Sequence, residues 1–236
     1  MNEAKKLMAL VFSIFISAPV FSQDTVLNKY GLWVISDAEI LKKTIAINPA
    51  KKMIPVNAMI PSAIIDLKYA DTFNFMHTKF YPANTNTYLR RSALIALTYV
   101  QQALLKQGLC IRIWDAYRPY SVTEKMWEQV MDDRYAANPA SGSGHNRGIS
   151  IDLTITSLST GKDLDMGTGF DNFSDTAHHD FKDLPASVLQ NRSILRSVME
   201  KHGFIALETE WWHYYLPDAK NFELLDISFE ELSHIE

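Results

Sequence analysis

Two short stretches of this sequence carry residues that could together bind a metal ion. In SGHNRGISIDLTI (143–155), His145 lies seven residues before Asp152, and apolar residues flank the aspartate on both sides. A charge in such a strand is costly unless it is paired or bound to a metal ion. The second stretch, EWWHYY, places Glu210 three residues before His213. The two stretches together offer two imidazoles and two carboxylates.

Two histidines and one carboxylate form a common ligand set of catalytic zinc, with one position left open for water. His145, Asp152 and His213 make up such a set, and Glu210 could take a proton from the water. Glu210 and His213 share a face only if the chain turns between them, so we predict a bend or bulge at Trp211–Trp212. Each residue alone has a plainer interpretation: a hydrogen-bonding histidine, a turn-capping or ion-paired aspartate, an aromatic core strand. Their combination favours the metal site.

Composition limits the other kinds of function. The chain has 236 residues, 47% of them hydrophobic and 21% charged, which fits one large globular domain or, less easily, two small ones. A formal net charge of −4 provides no basic field for nucleic acid. Cys110 is the single cysteine, which excludes an intrachain disulfide and a cysteine-rich zinc cluster. A metal ion must therefore be held by His, Asp or Glu.

Residues 1–22 have the pattern of a signal peptide. A short basic start (Lys5, Lys6) precedes an apolar run at 7–16 that is too short to span a bilayer comfortably. Small residues follow, with a plausible cleavage site at 20–22. A buried N-terminal helix is the alternative, but the order basic, apolar, small favours export. We therefore predict an exported protein, with a periplasm as its compartment, and no membrane span after signal removal.

Hydrophobic periodicity predicts the elements that must position these side chains. Strands are predicted at 62–70, 109–119, 149–155 and 204–217, and helices at 37–44, 92–107, 121–135 and 187–201. Ser121 and Glu124 have the spacing of a capping box for the helix at 121–135. The segregated strands and helices predict an α+β fold: one domain, a mainly antiparallel sheet with helices packed on it, and the zinc site at the sheet. Residues 23–52 are interpreted as an N-terminal extension packed on a catalytic domain of residues 53–236.

Five stretches, taken in order, resemble a known family. They are DLKYADTFNF (66–75), WDAYRP (114–119), SGHNRGISIDLTI, MGTGFDNFSDTAHH (166–179) and EWWHY. They are similar to the zinc D-alanyl-D-alanine dipeptidases of the vancomycin-resistance type, over about residues 53 to 217. Related zinc D,D-carboxypeptidases share the His-x6-Asp and Glu-x-x-His patterns, whereas the Trp-Trp doublet, Tyr69 and the GFD segment favour the dipeptidase branch. One departure is a shorter segment between Arg118 and His145, which affects the mouth of the pocket.

The resemblance implies one Zn²⁺ per chain, held by His145, Asp152 and His213. It also implies a small substrate, D-Ala-D-Ala, hydrolysed to two D-alanines. In that reaction Glu210 would be the general base and then the proton donor to the leaving amine. Arg118 would stabilise the oxyanion that forms when water attacks the peptide carbonyl.

The resemblance also implies a substrate pocket. Asp171, Tyr69 and Ser143 would hold the free ammonium end of the dipeptide. Trp211 and Trp212 would form a wall of the pocket, although one of the two could equally be buried in the core. A closed pocket with a carboxylate at its end would reject peptides with a blocked N-terminus, because a buried carboxylate without a partner is costly.

Two other functions remain open from the sequence. A more open pocket would suit a D,D- or L,D-carboxypeptidase that acts on the stem peptides of the cell wall. A non-catalytic module that binds cell-wall peptides is the second alternative. The presence of both a candidate base, Glu210, and a candidate oxyanion group, Arg118, argues against a module that only binds.

Overall fold

The computed structural model describes residues 27–235. The central element of this part of the chain is a five-stranded sheet. The strands are Val34–Ile35 (β1), Met53–Pro55 (β2), Ile64–Ile65 (β3), Tyr88–Arg90 (β4), Leu109–Asp115 (β5), Ser150–Ser157 (β6), Ile205–Ala206 (β7), His213–Tyr215 (β8) and Leu224–Leu225 (β9). The α-helices are Ala38–Ile47 (α1), Val56–Met59 (α2), Arg91–Leu105 (α3), Tyr120–Val130 (α4), Ala186–Lys201 (α5) and Phe229–Ser233 (α6). The predicted signal peptide lies outside the described residues.

The central sheet has the strand order β3-β5-β6-β8-β7. Three of its pairings, β5–β6, β6–β8 and β8–β7, are antiparallel, and β3–β5 is parallel. The predicted α+β fold with a mainly antiparallel sheet is therefore confirmed, with one parallel edge. The register of β5 against β6 shifts between Ile113 and Asp115, and this irregularity brings Asp115 opposite Asp152. Bulges of this kind redirect side chains next to functional sites.

The core between α3 and the sheet follows the predicted periodicity. The predicted inward residues of α3 that are fully buried are Leu94, Leu97, Val100 and Leu104. Leu105, which we also expected to face inward, is the last residue of the helix and is 38% exposed. The predicted apolar face of residues 149–155, which covers most of β6 and the residue before it, is almost entirely inaccessible to solvent, at Ile149, Ile151, Leu153 and Ile155. The opposite face of β6 is buried as well, and Asp152 on that face is 3% exposed.

The start and the end of α4 differ from the sequence prediction. The capping box of Ser121 and Glu124 is not formed, because the N-cap residue is Pro119 and no side chain caps the helix locally. Instead the Ser121 backbone N–H donates to the Asp226 carboxylate at 2.9 Å. The helix ends at Val130 rather than near residue 135, because the next residue adopts a left-handed conformation. A distant carboxylate thus takes the place of the local cap.

The predicted strand 204–217 is two short strands separated by a turn. The Glu210 N–H donates to the Leu207 carbonyl and the His213 N–H to the Glu210 carbonyl, both at 3.1 Å. The Leu207 N–H in turn donates to the His213 carbonyl at 3.0 Å. The bend predicted at Trp211–Trp212 is therefore present, and it brings Glu210 and His213 to the same side. The predicted strand 62–70 is likewise short and covers only β3.

The described part of the N-terminal segment, residues 27–52, contacts the C-terminal part of the chain. Strand β1 pairs in parallel with β9. Ile35 and Leu41 are buried in a second apolar cluster that includes Phe229 and Leu232 of α6. The boundary at residue 53 stays a prediction. Within residues 27–235, no helix combines the length and the hydropathy that crossing a membrane requires.

Candidate metal centre and active site

The three predicted metal ligands meet at the centre of the sheet. Asp152 on β6 and His213 on β8 are direct partners in the antiparallel register, and His145 lies on the loop before β6. His213 Nδ1 is 2.8 Å from Asp152 Oδ1, and His145 Nε2 is 3.4 Å from Asp152 Oδ2. The facing imidazole nitrogens are 3.3 Å apart. One donor atom from each residue lies within 4.8 Å of the others, so the set could hold a metal ion.

The orientation of His145 is fixed by a backbone carbonyl. Its Nδ1–H donates to the Ala116 carbonyl at 2.7 Å, which leaves the lone pair of Nε2 directed at Asp152 and His213. A carbonyl in this position selects the tautomer and the ring orientation that metal ligation needs. The loop approaches β6 closely at Gly144, where a Cβ would lie 1.9 Å from Ser150 Oγ. A larger residue at this position would require the Ser150 side chain to move.

The electrostatics of the three residues suit a cation. Burial lowers the pKa of His145 well below its usual value, and the charge of Arg118 adds to this effect. Burial also lowers the pKa of His213, so burial favours the neutral form of both imidazoles, the form in which a ring nitrogen can donate a lone pair. The pKa of Asp152 is raised well above its usual value by burial and by the charge of Asp115. A bound cation would compensate the cost of that carboxylate, and two imidazoles with one carboxylate are suitable donors.

Glu210 lines the same cavity as the three candidate ligands. It lies on the turn between β7 and β8 and is partly exposed. Burial raises the pKa of its carboxyl and the charge of Asp152 adds to the rise, whereas His213 and Arg118 oppose it. A carboxylate whose pKa is raised in this way is a better proton acceptor at neutral pH than a free one.

Arg118 follows β5 and is held by a buried carboxylate. Its Nε and Nη2 donate to Asp115 Oδ2 at 3.0 and 2.7 Å, and Asp115 is fully buried. Tyr81 donates its hydroxyl to the other oxygen of Asp115 at 2.8 Å. The guanidinium also lies 5.2 Å from the centre of the Tyr69 ring. These contacts fix the direction in which Arg118 faces the cavity.

Two residues of this arrangement were missed in the sequence. Asp115 ends a buried strand three residues before Arg118, which is a signal that sequence reasoning could have used. Asn146 is fully buried and donates to the Arg118 carbonyl at 2.9 Å and to Thr123 at 2.8 Å. Its Oδ1 accepts from the Ser143 N–H at 2.9 Å. Asn146 therefore couples the loop of His145 to the loop of Arg118.

The residues predicted to bind the ammonium group also line the cavity. The Tyr69 hydroxyl donates to Asp171 Oδ2 at 3.0 Å. Burial raises the pKa of Asp171 well above its usual value, and the charges of Asp152 and Glu210 add to the rise. Ser143 lines the same cavity, which has a volume of about 260 Å³. A cationic group that paired with Asp171 would relieve the cost of its buried charge.

The two tryptophans have different surroundings. Trp212 lines the cavity. Trp211 is buried against Trp114, with ring centres 5.6 Å apart, and its Nε1–H donates to Thr168 Oγ1 at 2.7 Å. Both indoles are 1% exposed and belong to the same apolar core, and Trp212 also lines the cavity.

Together these groups define a class of site. A cluster of metal-ligand type, a carboxylate with a raised pKa and a fixed arginine face one small cavity. This combination is that of metal-assisted hydrolases, in which a base activates water and a cationic group stabilises the oxyanion.

Comparison with known proteins gives the family. The model of the D-ala-D-ala dipeptidase family, Peptidase_M15, matches residues 49–233. The D-alanyl-D-alanine dipeptidase of Escherichia coli (strain K12) is 33% identical over 178 residues, 75% of this chain and 91% of that protein. The D-alanyl-D-alanine dipeptidase of Streptomyces coelicolor (strain ATCC BAA-471 / A3(2) / M145) is 32% identical over 182 residues, 69% of this chain and 90% of that protein. The chain belongs to the D-ala-D-ala dipeptidase family and is a peptidase.

A comparison with solved structures also found similar chains. The LdcB LD-carboxypeptidase matches with a TM-score of 0.42 and 18% sequence identity, over 78% of this chain and 77% of that chain.

Proposed function

We propose that this protein is a zinc dipeptidase that hydrolyses D-Ala-D-Ala to two D-alanines. The observation that carries the proposal is one cavity lined by the donor set His145, Asp152 and His213 together with Glu210 and Arg118. Each group is of the type that peptide hydrolysis by activated water requires. The names of the curated relatives, all D-alanyl-D-alanine dipeptidases, support this substrate.

Zinc is the metal we propose for His145, Asp152 and His213. Two neutral imidazole nitrogens and one carboxylate oxygen are a usual set of protein ligands for catalytic zinc, which keeps one position open. When bound, zinc would lower the pKa of water to about 7 and polarise the scissile carbonyl. The orientation of His145 by the Ala116 carbonyl supports this role.

Glu210 is the proposed proton carrier. Its carboxylate would take the proton from the attacking water and then deliver it to the nitrogen of the leaving D-alanine. A pKa raised by burial suits both steps, because the group must accept the proton and then give it up. The turn at residues 207–212 keeps Glu210 on the same side of the chain as His213.

Arg118 is the proposed oxyanion group. The oxygen of the scissile carbonyl gains negative charge as water attacks, and a preorganised donor stabilises that charge without reorganising. Asp115 occupies Nε and Nη2 of the guanidinium and thereby holds it in place. Its remaining donors are then available to the substrate.

Asp171 is the proposed anchor for the free ammonium group of the dipeptide, with Tyr69 and Ser143 beside it. A free D-Ala-D-Ala would bring a positive charge to a carboxylate that is costly when unpaired. A dipeptide with an acetylated N-terminus would bring none and would leave Asp171 without a partner. We therefore expect preference for the free dipeptide.

The decisive test is D-alanine release by residues 23–236, with zinc and with a chelator. D-Ala-D-Ala and N-acetyl-D-Ala-D-Ala would be offered side by side at equal concentration. We expect chelator-sensitive cleavage of the free dipeptide and little cleavage of the blocked one. Equal cleavage of both would contradict the role of Asp171 and favour a carboxypeptidase. Zinc binding without turnover of either peptide would contradict the proposal and favour a binding module.

We also propose that the protein is exported, because residues 1–22 have the basic, apolar and small-residue order of a signal peptide. Export would give the enzyme access to peptides released from the cell wall. Expression of the full chain in a Gram-negative host, followed by N-terminal sequencing of the periplasmic fraction, tests this. A mature start near residue 23 is expected, whereas an intact N-terminus in the cytoplasmic fraction would contradict export.

A further inference from the structure

Arg192 on α5 is a buried arginine that the proposed chemistry does not use. It is 5% exposed, and its guanidinium donates to three backbone carbonyls. Nε donates to Met166 at 2.8 Å, Nη2 to Thr176 at 2.9 Å and Nη1 to His178 at 3.1 Å. One side chain therefore joins the beginning and the end of residues 166–178, which we call the Asp171 loop. Compact surface loops with ends this close are frequently functional.

The beginning of the Asp171 loop is also pressed against α5. Gly167 has a left-handed φ of +81°, and a Cβ at this position would lie 2.9 Å from Val188 Cγ1 and 3.1 Å from Leu184 Cδ2. Glycine is required here both for the backbone conformation and for the close approach. The start of the loop is thus held by packing as well as by the guanidinium.

The loop carries the carboxylate that we propose as the ammonium anchor. Asp171 is a non-glycine residue with a left-handed φ of +56°, a conformation that its surroundings must maintain. Its neighbour Phe170 packs edge-on against Tyr69, with ring centres 5.8 Å apart, and the Tyr69 hydroxyl donates to Asp171. The position of the Asp171 carboxylate therefore depends on how the whole loop packs against its neighbours.

The same loop contacts the turn that carries Glu210. The Trp211 backbone N–H donates to the Ala177 carbonyl at 3.1 Å, and its indole donates to Thr168. The Arg192 guanidinium lies 5.8 Å from the centre of the Trp211 ring. The loop is thus fixed from two sides, by α5 and by the turn.

Arginine is the residue that can make this connection. None of the hydrogen bonds that Arg192 makes within residues 27–235 goes to a carboxylate, so backbone dipoles solvate its charge. A guanidinium directs its donors along fixed lines from three nitrogens, whereas the donors of a lysine all originate at one nitrogen. A lysine at this position would keep the charge and lose the connection between the two ends of the loop.

We propose that Arg192 is a positioning residue for substrate specificity. It holds the Asp171 loop in position and thereby places the carboxylate that recognises the free ammonium group. Arg192 does not touch the substrate and acts through Asp171. The inference rests on the proposed dipeptidase function. It predicts that Arg192 variants behave like weakened Asp171 variants.

Kinetics in two backgrounds test the connection. In the zinc-loaded wild-type background, Arg192→Lys should raise KM for D-Ala-D-Ala by about tenfold or more, the effect of losing a hydrogen bond to a charged group, with a smaller change in kcat. In the Asp171→Asn background the same substitution should leave KM nearly unchanged, because the group through which Arg192 acts is gone. A rise in KM that is equal in both backgrounds would overturn the proposal.

Arg90→Lys is the matched control. Arg90 is fully buried and donates to three backbone carbonyls, those of Lys51, Arg147 and Glu223, but none of them belongs to the Asp171 loop. Both variants should lower the melting temperature. Any effect of Arg90→Lys on KM should persist in the Asp171→Asn background. A general loss of rigidity would instead make the two lysine variants behave alike.

Hydrogen–deuterium exchange gives a readout that does not depend on the substrate. Arg192→Lys should increase exchange in residues 166–178, and Arg90→Lys should not. Unchanged exchange in that segment would overturn the role of Arg192 even if the wild-type protein cleaved D-Ala-D-Ala. The wild-type protein could fail to cleave that dipeptide while the variant shows increased exchange. That result would overturn the proposed substrate but would support the role of Arg192 in holding the loop.

Gly167→Ala provides a second variant should Arg192→Lys fail to fold. It displaces the start of the loop by steric contact with Val188 and leaves the guanidinium unchanged. The same rise in KM, lost in the Asp171→Asn background, is expected. If the Gly167→Ala protein folds and shows increased exchange but an unchanged KM, the position of the loop does not control specificity, and the proposal is overturned.

Discussion

At the scale of single residues, burial is the main cause of the pKa shifts on which the proposed chemistry depends. Asp115, Asp152, Asp171 and Glu210 all have raised pKa values, and burial is the leading cause for each. The Arg118 guanidinium faces this group of carboxylates, and Asp115 holds it. In the roles proposed above, Asp152 is therefore available to a metal ion, Glu210 to a proton and Asp171 to a substrate ammonium group.

Glu210→Gln should abolish most turnover and keep the metal. The amide preserves the shape of the side chain but cannot accept the proton from water, so kcat should fall by about 10²–10⁴-fold, the usual contribution of a general base. Zinc content and D-alanine release would be measured on the same sample. Glu208→Gln is the control, because Glu208 is exposed and pairs with Arg196, and it should retain activity. Retained turnover in Glu210→Gln would remove Glu210 from its role.

Arg118→Lys should lower kcat more than it raises KM. The substitution keeps the positive charge but loses the paired hydrogen bonds to Asp115, so the donor no longer points in a fixed direction. Loss of one preorganised oxyanion donor costs about 10²–10³-fold in kcat. Steady-state kinetics at saturating zinc would separate the two parameters. A rise in KM with unchanged kcat would assign Arg118 to ground-state binding instead.

At the scale of elements, the turn between β7 and β8 is the important feature. It converts a run that would place Glu210 and His213 on opposite faces into one that places both at the cavity. The surrounding contacts come from the Asp171 loop and from His179, whose backbone N–H donates to the Glu208 carbonyl at 2.9 Å. The turn is thus maintained by tertiary contacts as well as by its own hydrogen bonds.

The stability of this region should depend on pH through His179. Burial and the charge of Arg196 lower the pKa of His179 from 6.5 to about 4. Between these values the unfolded chain binds a proton that the folded protein does not, so stability is complete above pH 6.5 and falls as the pH drops towards 4. The melting temperature should therefore fall less between pH 7 and pH 5 in His179→Gln than in the wild type. Equal decreases in the two proteins would contradict this assignment.

At the scale of the whole molecule, the N-terminal segment and the C-terminal helix complete a second apolar cluster. Strand β1 pairs with β9, and α1 buries Leu41 in the cluster that also holds residues of α6. The cluster also includes Tyr69 and Tyr81, which contact Asp171 and Asp115. Segments that carry no proposed catalytic group thus belong to the same apolar cluster as the tyrosines that contact Asp171 and Asp115.

Leu41→Ala should lower the free energy of unfolding by about 2–5 kcal/mol, the usual cost of such a cavity. Urea denaturation measures the change, and D-alanine release at low temperature should remain close to that of the wild type. Ile47→Ala on the same helix is the control, because Ile47 is 78% exposed and its loss should change stability by no more than about 0.5 kcal/mol. Equal destabilisation by both substitutions would show that α1 does not pack as described.

The sequence by itself determined the kinds of residue, their spacing and most of the elements. The alternation in 149–155 predicted β6 and its buried apolar face, and the spacing in 92–107 predicted α3, because local periodicity reports directly on which face of an element is buried. The same alternation isolated Asp152 as a carboxylate without a local partner. The Glu-x-x-His spacing then required a bend, which the structure contains.

Only the tertiary structure decided which distant groups hold these residues in place. Asp226 replaces the local cap of α4, Asp115 holds Arg118, and Arg192 connects the two ends of the Asp171 loop. None of these contacts leaves a periodic pattern, because each joins a side chain to a group whose position depends on the packing of other elements. Burial, and with it the raised pKa of Glu210, likewise exists only once the sheet, the turn and the loop have come together.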